Sequence, residues 1–318
     1  MLQQTRVDTV IPYYRRWMKS YPTLKRLSEA SEHQVLRHWE GLGYYSRARN
    51  IIKTAKIINQ NYKGKLPEHV VALRKLPGIG RYSAAAIASI AYGADQPALD
   101  GNIRRVYSRL FNLEKEKVGS VYEKNLERIA LQYLPHGDAG DYNQALMDLG
   151  ALVCLPKKPR CEICPVGRLC QARILGIQDD LPSKPRKTPI PHRIHAAAMI
   201  TRESQRSIYT LLVKRPSPGL LGGLWEFPNV LIKNGRDNEW TKSILSTYKL
   251  RVKPDGFVKT IHHTYSHFRI SEHVYRCKLI NKKLERNHKW INSRNLKKYP
   301  MGKIDRLIAS QLIPQGKS

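Results

Sequence analysis

The sequence predicts two domains of different class: an all-α domain over residues 1–176 and an α+β domain over 194–318, joined by a linker at 177–193. Three observations carry this division. Apolar residues recur at helical spacing through the first half, whereas short β-branched and aromatic runs mark the second. Four cysteines, Cys154, Cys161, Cys164 and Cys170, close the helical half. The stretch IQDDLPSKPRKTPIPHR between the halves is Pro-rich and basic, the composition of an extended connection.

Taken in order, Met1-Leu-Gln-Gln-Thr5 runs straight into Val7, Val10, Ile11 and Tyr14 at helical spacing, so the chain reads as starting inside a helix. Helices are expected around 5–20, 32–39, 46–61, 67–75, 81–92, 103–112, 121–133 and 142–152. Gly, Pro or Asn punctuates them, notably at Tyr21-Pro22, Gly41-Leu42-Gly43, Leu66-Pro67 and Leu134-Pro135. Leu76-Pro-Gly-Ile-Gly80 is a turn in which two glycines around one apolar residue leave backbone amides pointing outward. The small apolar helix after it, Ala84–Ile90, offers an N-terminus suited to an anion. Asp100 then precedes a basic helix, Ile103–Leu110. Separately, these pieces read as a glycine turn and a helix cap. Together, in a basic chain, they favour a phosphate clamp beside one placed carboxylate. In the second half, strands are expected at 194–201, 208–214, 225–230, 257–261 and 274–279, with helices at 239–248 and 304–312. No internal repeat is visible, and the tail 314–318 reads as frayed.

Lys and Arg total 56 against 25 Asp and Glu, a net charge of +31. That excess points to a polyanion, most simply nucleic acid. A membrane surface is disfavoured: there is no lipidation motif, no long basic amphipathic helix and no spanning stretch. Five cysteines in 318 residues do not form a secreted disulfide framework, and charge and Gln at the start argue against a signal peptide. A cytosolic, nucleoid-associated location is expected. The Cys-x6-Cys-x2-Cys-x5-Cys spacing suits a metal centre, and the residues alone leave zinc and an iron–sulfur cluster equally open. Cys277, far away in a strand, reads as a buried apolar residue.

These pieces together resemble the helix–hairpin–helix DNA glycosylases with an iron–sulfur loop, over essentially the whole chain. LPGIGR looks like the family hairpin, Asp100 like its aspartate, and Cys154, Cys161, Cys164 and Cys170 like the ligands of its 4Fe-4S cluster. In the endonuclease III-type lyases a Lys follows Gly-x-Gly-Arg and attacks the sugar; here Tyr82 stands there and cannot form a Schiff base. The chain therefore resembles the monofunctional adenine DNA glycosylases of the MutY type. MLQQT, GLGYYSRARN (Gly41–Asn50), LDGN (Leu99–Asn102) and NQALMDLGA (Asn143–Ala151) carry the same resemblance. Leu211–Pro228 resembles the Nudix strand and loop. The Glu-rich metal helix of a Nudix hydrolase is replaced by Trp240-Thr-Lys-Ser-Ile-Leu-Ser, which leaves no Mg²⁺ site for pyrophosphate hydrolysis. Tyr265-Ser266-His267 looks like the lesion-reading loop of the family, with Tyr in place of Phe as an aromatic wedge.

The resemblance implies hydrolysis of the N-glycosidic bond of adenine mispaired with 8-oxoguanine or guanine in double-stranded DNA, by a monomer. Adenine must first be flipped out of the duplex. Gly78 and Gly80 would hold phosphate, and Gln4 and Tyr44 would fill or wedge the duplex. Asp100 would stabilise the oxocarbenium-like sugar, with Asn102 orienting carboxylate or water and Tyr82 completing the site. The family's general-acid Glu belongs to a Ser-Glu-Val segment that would end just before Met1. Asp8 and Glu40 do not match its position. The chain as given is expected to be impaired. An internal start or truncation is the favoured explanation, and a decayed gene or a non-catalytic lesion-binding protein is the alternative.

Overall fold

The computed structural model describes residues 1–2, 5–113, 120–182, 189–205, 207–232, 239–265, 267–280 and 283–312, with only the backbone of residue 120. The first half is helical where apolar spacing and caps coincide. Helices α1 (Val7–Ser20), α2 (Leu24–Ser28), α3 (Glu32–Trp39) and α4 (Tyr45–Asn61) are followed by α5 (Val70–Leu73) and α6 (Arg81–Tyr92). Then come α7 (Gly101–Leu110), α8 (Ser120–Gln132), α9 (Ala139–Asp148) and the single turn α10 (Gln171–Ile174). Thr23 caps α2, and Ser31 with Gln34 forms a capping box on α3. The expected helix at 142–152 is instead an α-helix ending at Asp148 and a wider π turn, Leu149–Val153, that leads into Cys154. The expected helix at 67–75 shrinks to four residues, and α2 is additional.

The second half is a seven-stranded sheet with α11 (Trp240–Tyr248) and α12 (Lys303–Ala309). Its strands are β1 (His192–Ser204), β2 (Ser207–Lys214), β3 (Trp225–Glu226), β4 (Asn229–Ile232), β5 (Val252–Thr264), β6 (Arg269–Leu279) and β7 (His288–Asn292). The order is β3-β2-β1-β6-β5, with β4 also on β1 and β7 also on β2. The β1–β6 pair is parallel and the other pairs are antiparallel. Alternation along β1 sends Ala197 and Met199 to a core that includes Ile304 and Ile308 of α12. Ala196 and Ala198 go to a second core with Trp240 and Ile244 of α11. β1 begins inside the stretch read as linker, the 225–230 strand is split in two, and β7 was not expected.

Packing divides the chain along a different line from secondary-structure class. One compact unit is Met1–Lys56 with Thr188–Ser318, and the other is Ile57–Lys187. In the first unit Leu224, from beyond the linker, is buried in the core of the first helices with Trp17, Leu36, Trp39 and Ile52. The guanidinium of Arg306 in α12 donates to both oxygens of Glu40, at 2.7 and 2.9 Å. In the second unit, a Cβ on Gly140 would lie 2.7 Å from the Ser89 carbonyl, so α9 approaches α6 at glycine distance.

Candidate active site

Asp100 is the N-cap of α7. Its Oδ1 accepts from the Ile103 amide at 2.7 Å, and its Oδ2 accepts from Asn102 Nδ2 at 3.0 Å. The side chain caps α7 with one oxygen, and its second oxygen is held by Asn102. Asn102 is fixed in turn: its Oδ1 accepts from Arg105 Nη2 at 2.9 Å. Arg105 also donates to the carbonyls of Gly150 and Cys154, both at 2.8 Å. The π turn matters here, because it presents the Gly150 carbonyl to α7 at close range. A Cβ on Gly150 would lie 2.5 Å from Asn102 Cβ. Asn143, buried in α9, holds the segment ahead of Asp100: it receives the Ala98 amide and donates to the Gln96 carbonyl and Ser89 Oγ. Tyr82 is half-buried, donates to Met147 Sδ at 3.7 Å, and its phenol is pushed up by burial and then by the charge of Asp100. The two side chains therefore share one electrostatic neighbourhood, and no amine stands at position 82.

The hairpin ahead of α6 has Gly78 at φ +78°, the left-handed region, and Gly80 as N-cap with no side-chain cap bond. Gly80 has no side chain with which to cap the helix start. Tyr44 is also left-handed, at φ +48°, after Gly41 and Gly43 with positive φ. For an aromatic residue that is strained backbone. Its ring is 43% exposed and stands 5.1 Å from the Arg47 guanidinium, which also lies over Trp39. Gln4 lies outside the described residues.

The four cysteines line one small pocket with Arg109, Arg160, Gly167 and Arg173. Arg109, almost fully buried, donates to Cys154 Sγ at 3.3 Å and to the Leu155 carbonyl at 2.8 Å. Cys170 Sγ contacts the Arg109 carbonyl at 3.4 Å. A Cβ on Gly167 would lie 3.1 Å from the carbonyls of Cys161 and Cys164 and 2.5 Å from Arg173 Nη1, so the loop closes tightly around this glycine. Among the described residues no three His, Cys, Asp or Glu side chains converge on a point that holds a single metal ion. Four thiols around a common cavity, with guanidinium groups beside them, are a donor set that fits a thiolate-bound metal centre.

In the second half, Tyr265 is turned inward rather than standing out as a wedge. Its ring packs 4.6 Å from His263 and 4.9 Å from Phe268 against the α12 core, and burial raises its phenol. His267 is exposed, and Ser266 lies outside the described residues. Two carboxylates of this half, Glu226 and Asp305, are buried. Glu226 pairs with Arg215 and accepts from Tyr248 Oη and Asn229 Nδ2, while Asp305 accepts from the Phe227 amide.

Residues 1–131 match the HhH-GPD superfamily of base excision DNA repair proteins, and residues 196–311 match the NUDIX domain. The adenine DNA glycosylase of Buchnera aphidicola from Acyrthosiphon pisum is 33% identical over 299 residues, covering 93% of this chain and 83% of that protein. The chain belongs to the adenine DNA glycosylase family. A relative of that name in Arabidopsis thaliana is 36% identical over 277 residues, covering 78% of this chain; the chain spans 44% of that relative's length. An endonuclease III–DNA complex superposes with a TM-score of 0.49 at 25% identity, covering 56% of this chain and 81% of that one. Within the adenine DNA glycosylase family an iron–sulfur cluster is usual, and the four-cysteine pocket is the place in this chain that fits it. Arg105, Arg109 and Asn143 were not singled out from the sequence. Arg105 and Arg109 are four apart on a helix read as basic, and that spacing was the available signal for one inward edge.

Proposed function

We propose that this protein removes adenine from double-stranded DNA where it faces 8-oxoguanine or guanine, by hydrolysis and without a lyase step. The observation that carries the reading is Asp100, held at two points by the Ile103 amide and Asn102, with Tyr82 rather than an amine beside it. A carboxylate so fixed can stabilise a sugar cation at C1′ as the base departs. Asn102 keeps one carboxylate oxygen oriented, and it can also orient the attacking water. The helix start after Gly78 and Gly80 holds a backbone phosphate, and Tyr44, exposed on a strained turn, stacks in the opened duplex. His267 and Ser266 read the oxidised guanine, supported by Tyr265 from within the domain. Cys154, Cys161, Cys164 and Cys170 would hold a 4Fe-4S cluster, whose contribution is to cross-link the loop from which Cys154 accepts Arg105. The working form is a monomer associated with the chromosome.

Single-turnover kinetics on an A:8-oxoguanine duplex test the reading. Lesion-specific binding is expected, with adenine release that Asp100→Asn lowers by about a thousandfold or more while affinity changes little. A polypeptide with the family's Ser-Glu-Val segment ahead of Met1 is the matched comparison; faster excision in it assigns the proton donor to that segment. Efficient covalent trapping by borohydride would instead favour a lyase. Loss of lesion preference would overturn the substrate.

A further inference from the structure

The sheet register gathers basic and hydroxyl side chains on one face of the second half. In the parallel pair, His192 stands beside Arg269 and Ile194 beside Ser271. Across the β5–β6 pair, His262 stands opposite Ser271 and Thr264 opposite Arg269. Residues so paired project to the same side. Ser271 Oγ is 2.8 Å from His192 Nε2 and 2.9 Å from His262 Nδ1. The hydroxyl has one proton and two lone pairs, so it can donate to at most one ring, and each imidazole has a second nitrogen outside this contact. These residues and His263 line an open pocket at the end of the sheet. Farther along the same face Trp240 of α11 stacks on Tyr275 at 4.9 Å.

The lining chemistry selects the ligand. Among the described residues no carboxylate lines the pocket, while Arg269 brings a guanidinium fork to its wall. That charge opposes a cation, and no group of three potential ligands among the described residues converges on a metal. An oxyanion meets complementary groups throughout: the guanidinium, two imidazoles tied to one hydroxyl, and Thr264. The wall also flanks the segment proposed to read the lesion, since Thr264 ends β5 before Tyr265 and Arg269 opens β6 after Phe268.

We propose that this pocket is a phosphate-oxyanion site, and that its ligand in the working protein is a backbone phosphodiester of the duplex next to the base read by Tyr265–His267. The duplex as ligand rests on the DNA reading above; the oxyanion site does not.

Two measurements on the full chain separate these parts. Inorganic phosphate is titrated while the histidine Cε1–H resonances are followed by NMR. Saturable shifts of His192 and His262 are expected, and they are expected to vanish in Arg269→Gln. Binding of an A:8-oxoguanine duplex is then measured against salt. Arg269→Gln is expected to bind about five- to tenfold more weakly, with a log–log salt slope shallower by about one. A methylphosphonate at the contacted phosphate should weaken the wild type by the same factor and the variant no further. Because Arg269 is an exposed strand-end residue, an unchanged melting temperature is the check on folding, and His262→Gln serves as the second variant. If phosphate shifts neither histidine and both variants bind duplex like the wild type, the proposal is overturned. If phosphate shifts them but duplex binding is unchanged in the variants, the site takes free phosphate and the DNA assignment is overturned. If the wild type binds no duplex while phosphate still shifts both signals, it is the DNA reading of the protein that fails.

Discussion

A carboxylate that must meet a developing cation loses its advantage if it can rotate away. Asp100 is restrained by Asn102, and Asn102 by Arg105, which also donates to the carbonyls of Gly101, Gly150 and Cys154. Arg105→Ala leaves Asn102 free to turn. The single-turnover excision rate is expected to fall about 10- to 100-fold, with a much smaller change in duplex affinity; equal losses in rate and affinity would show that Arg105 contacts DNA instead. Lysine should not rescue the rate, because one ammonium cannot reproduce a planar fork spread over four acceptors. Asp100, Asn102 and Tyr82 could be picked out from motif order alone. Arg105 could not, since a helix reading IRRVYSRL does not say which arginines turn inward; the folded chain buries Arg109 and half-buries Arg105. The strain at Tyr44 was legible only as a Gly-rich turn, because φ is not written in residue type.

At the scale of an element, the π turn Leu149–Val153 decides how near the cysteine loop comes to α7. Gly150→Ala would drive a methyl group to 2.5 Å from Asn102 Cβ and 3.0 Å from its Cα, atoms with no freedom to yield. Destabilisation of about 1–3 kcal/mol is expected, visible as a lowered denaturant midpoint together with slower excision. A variant with the wild-type midpoint would mean that the turn relaxes at no cost. The long helices could be read directly, since α4, α6 and α7 carry uninterrupted apolar stripes. The π turn could not, because the apolar period of α9 runs through it while the backbone widens. β7 escaped notice for a related reason: His-Lys-Trp-Ile-Asn pairs with β2 over five residues yet has few strand-forming side chains of its own.

Across the whole molecule, the net charge of +31 makes duplex binding an ion-exchange process. Raising monovalent salt from about 50 to 200 mM is expected to weaken it by about a thousandfold if six or more phosphates are neutralised; a flat salt response would contradict a phosphate-dominated interface. Global stability carries its own pH signature. Burial pushes Glu272 up to about 8, helped by the charges of Asp305 and Glu226 and opposed by Arg215. Asp305 is raised as well, mainly by burial. The folded chain therefore keeps protons that the unfolded chain releases above about pH 4.5, so stability falls as pH rises from about 5 to 8. Glu272→Gln is expected to flatten that decline in melting temperature and to raise stability at pH 8; an unaltered slope would place the buried proton elsewhere. The division into helical and mixed halves was legible from residue texture, but the division by packing was not, because nothing around Leu224 announces that it belongs with Trp17 and Trp39. That partnership constrains the order of events on the ribosome. The first helices emerge early, yet their core stays incomplete until residue 224 is added, a wait of roughly ten to forty seconds at ordinary elongation rates. Throughout that interval the nascent chain displays tryptophans with no finished shelter, which makes it a natural client for a holding chaperone.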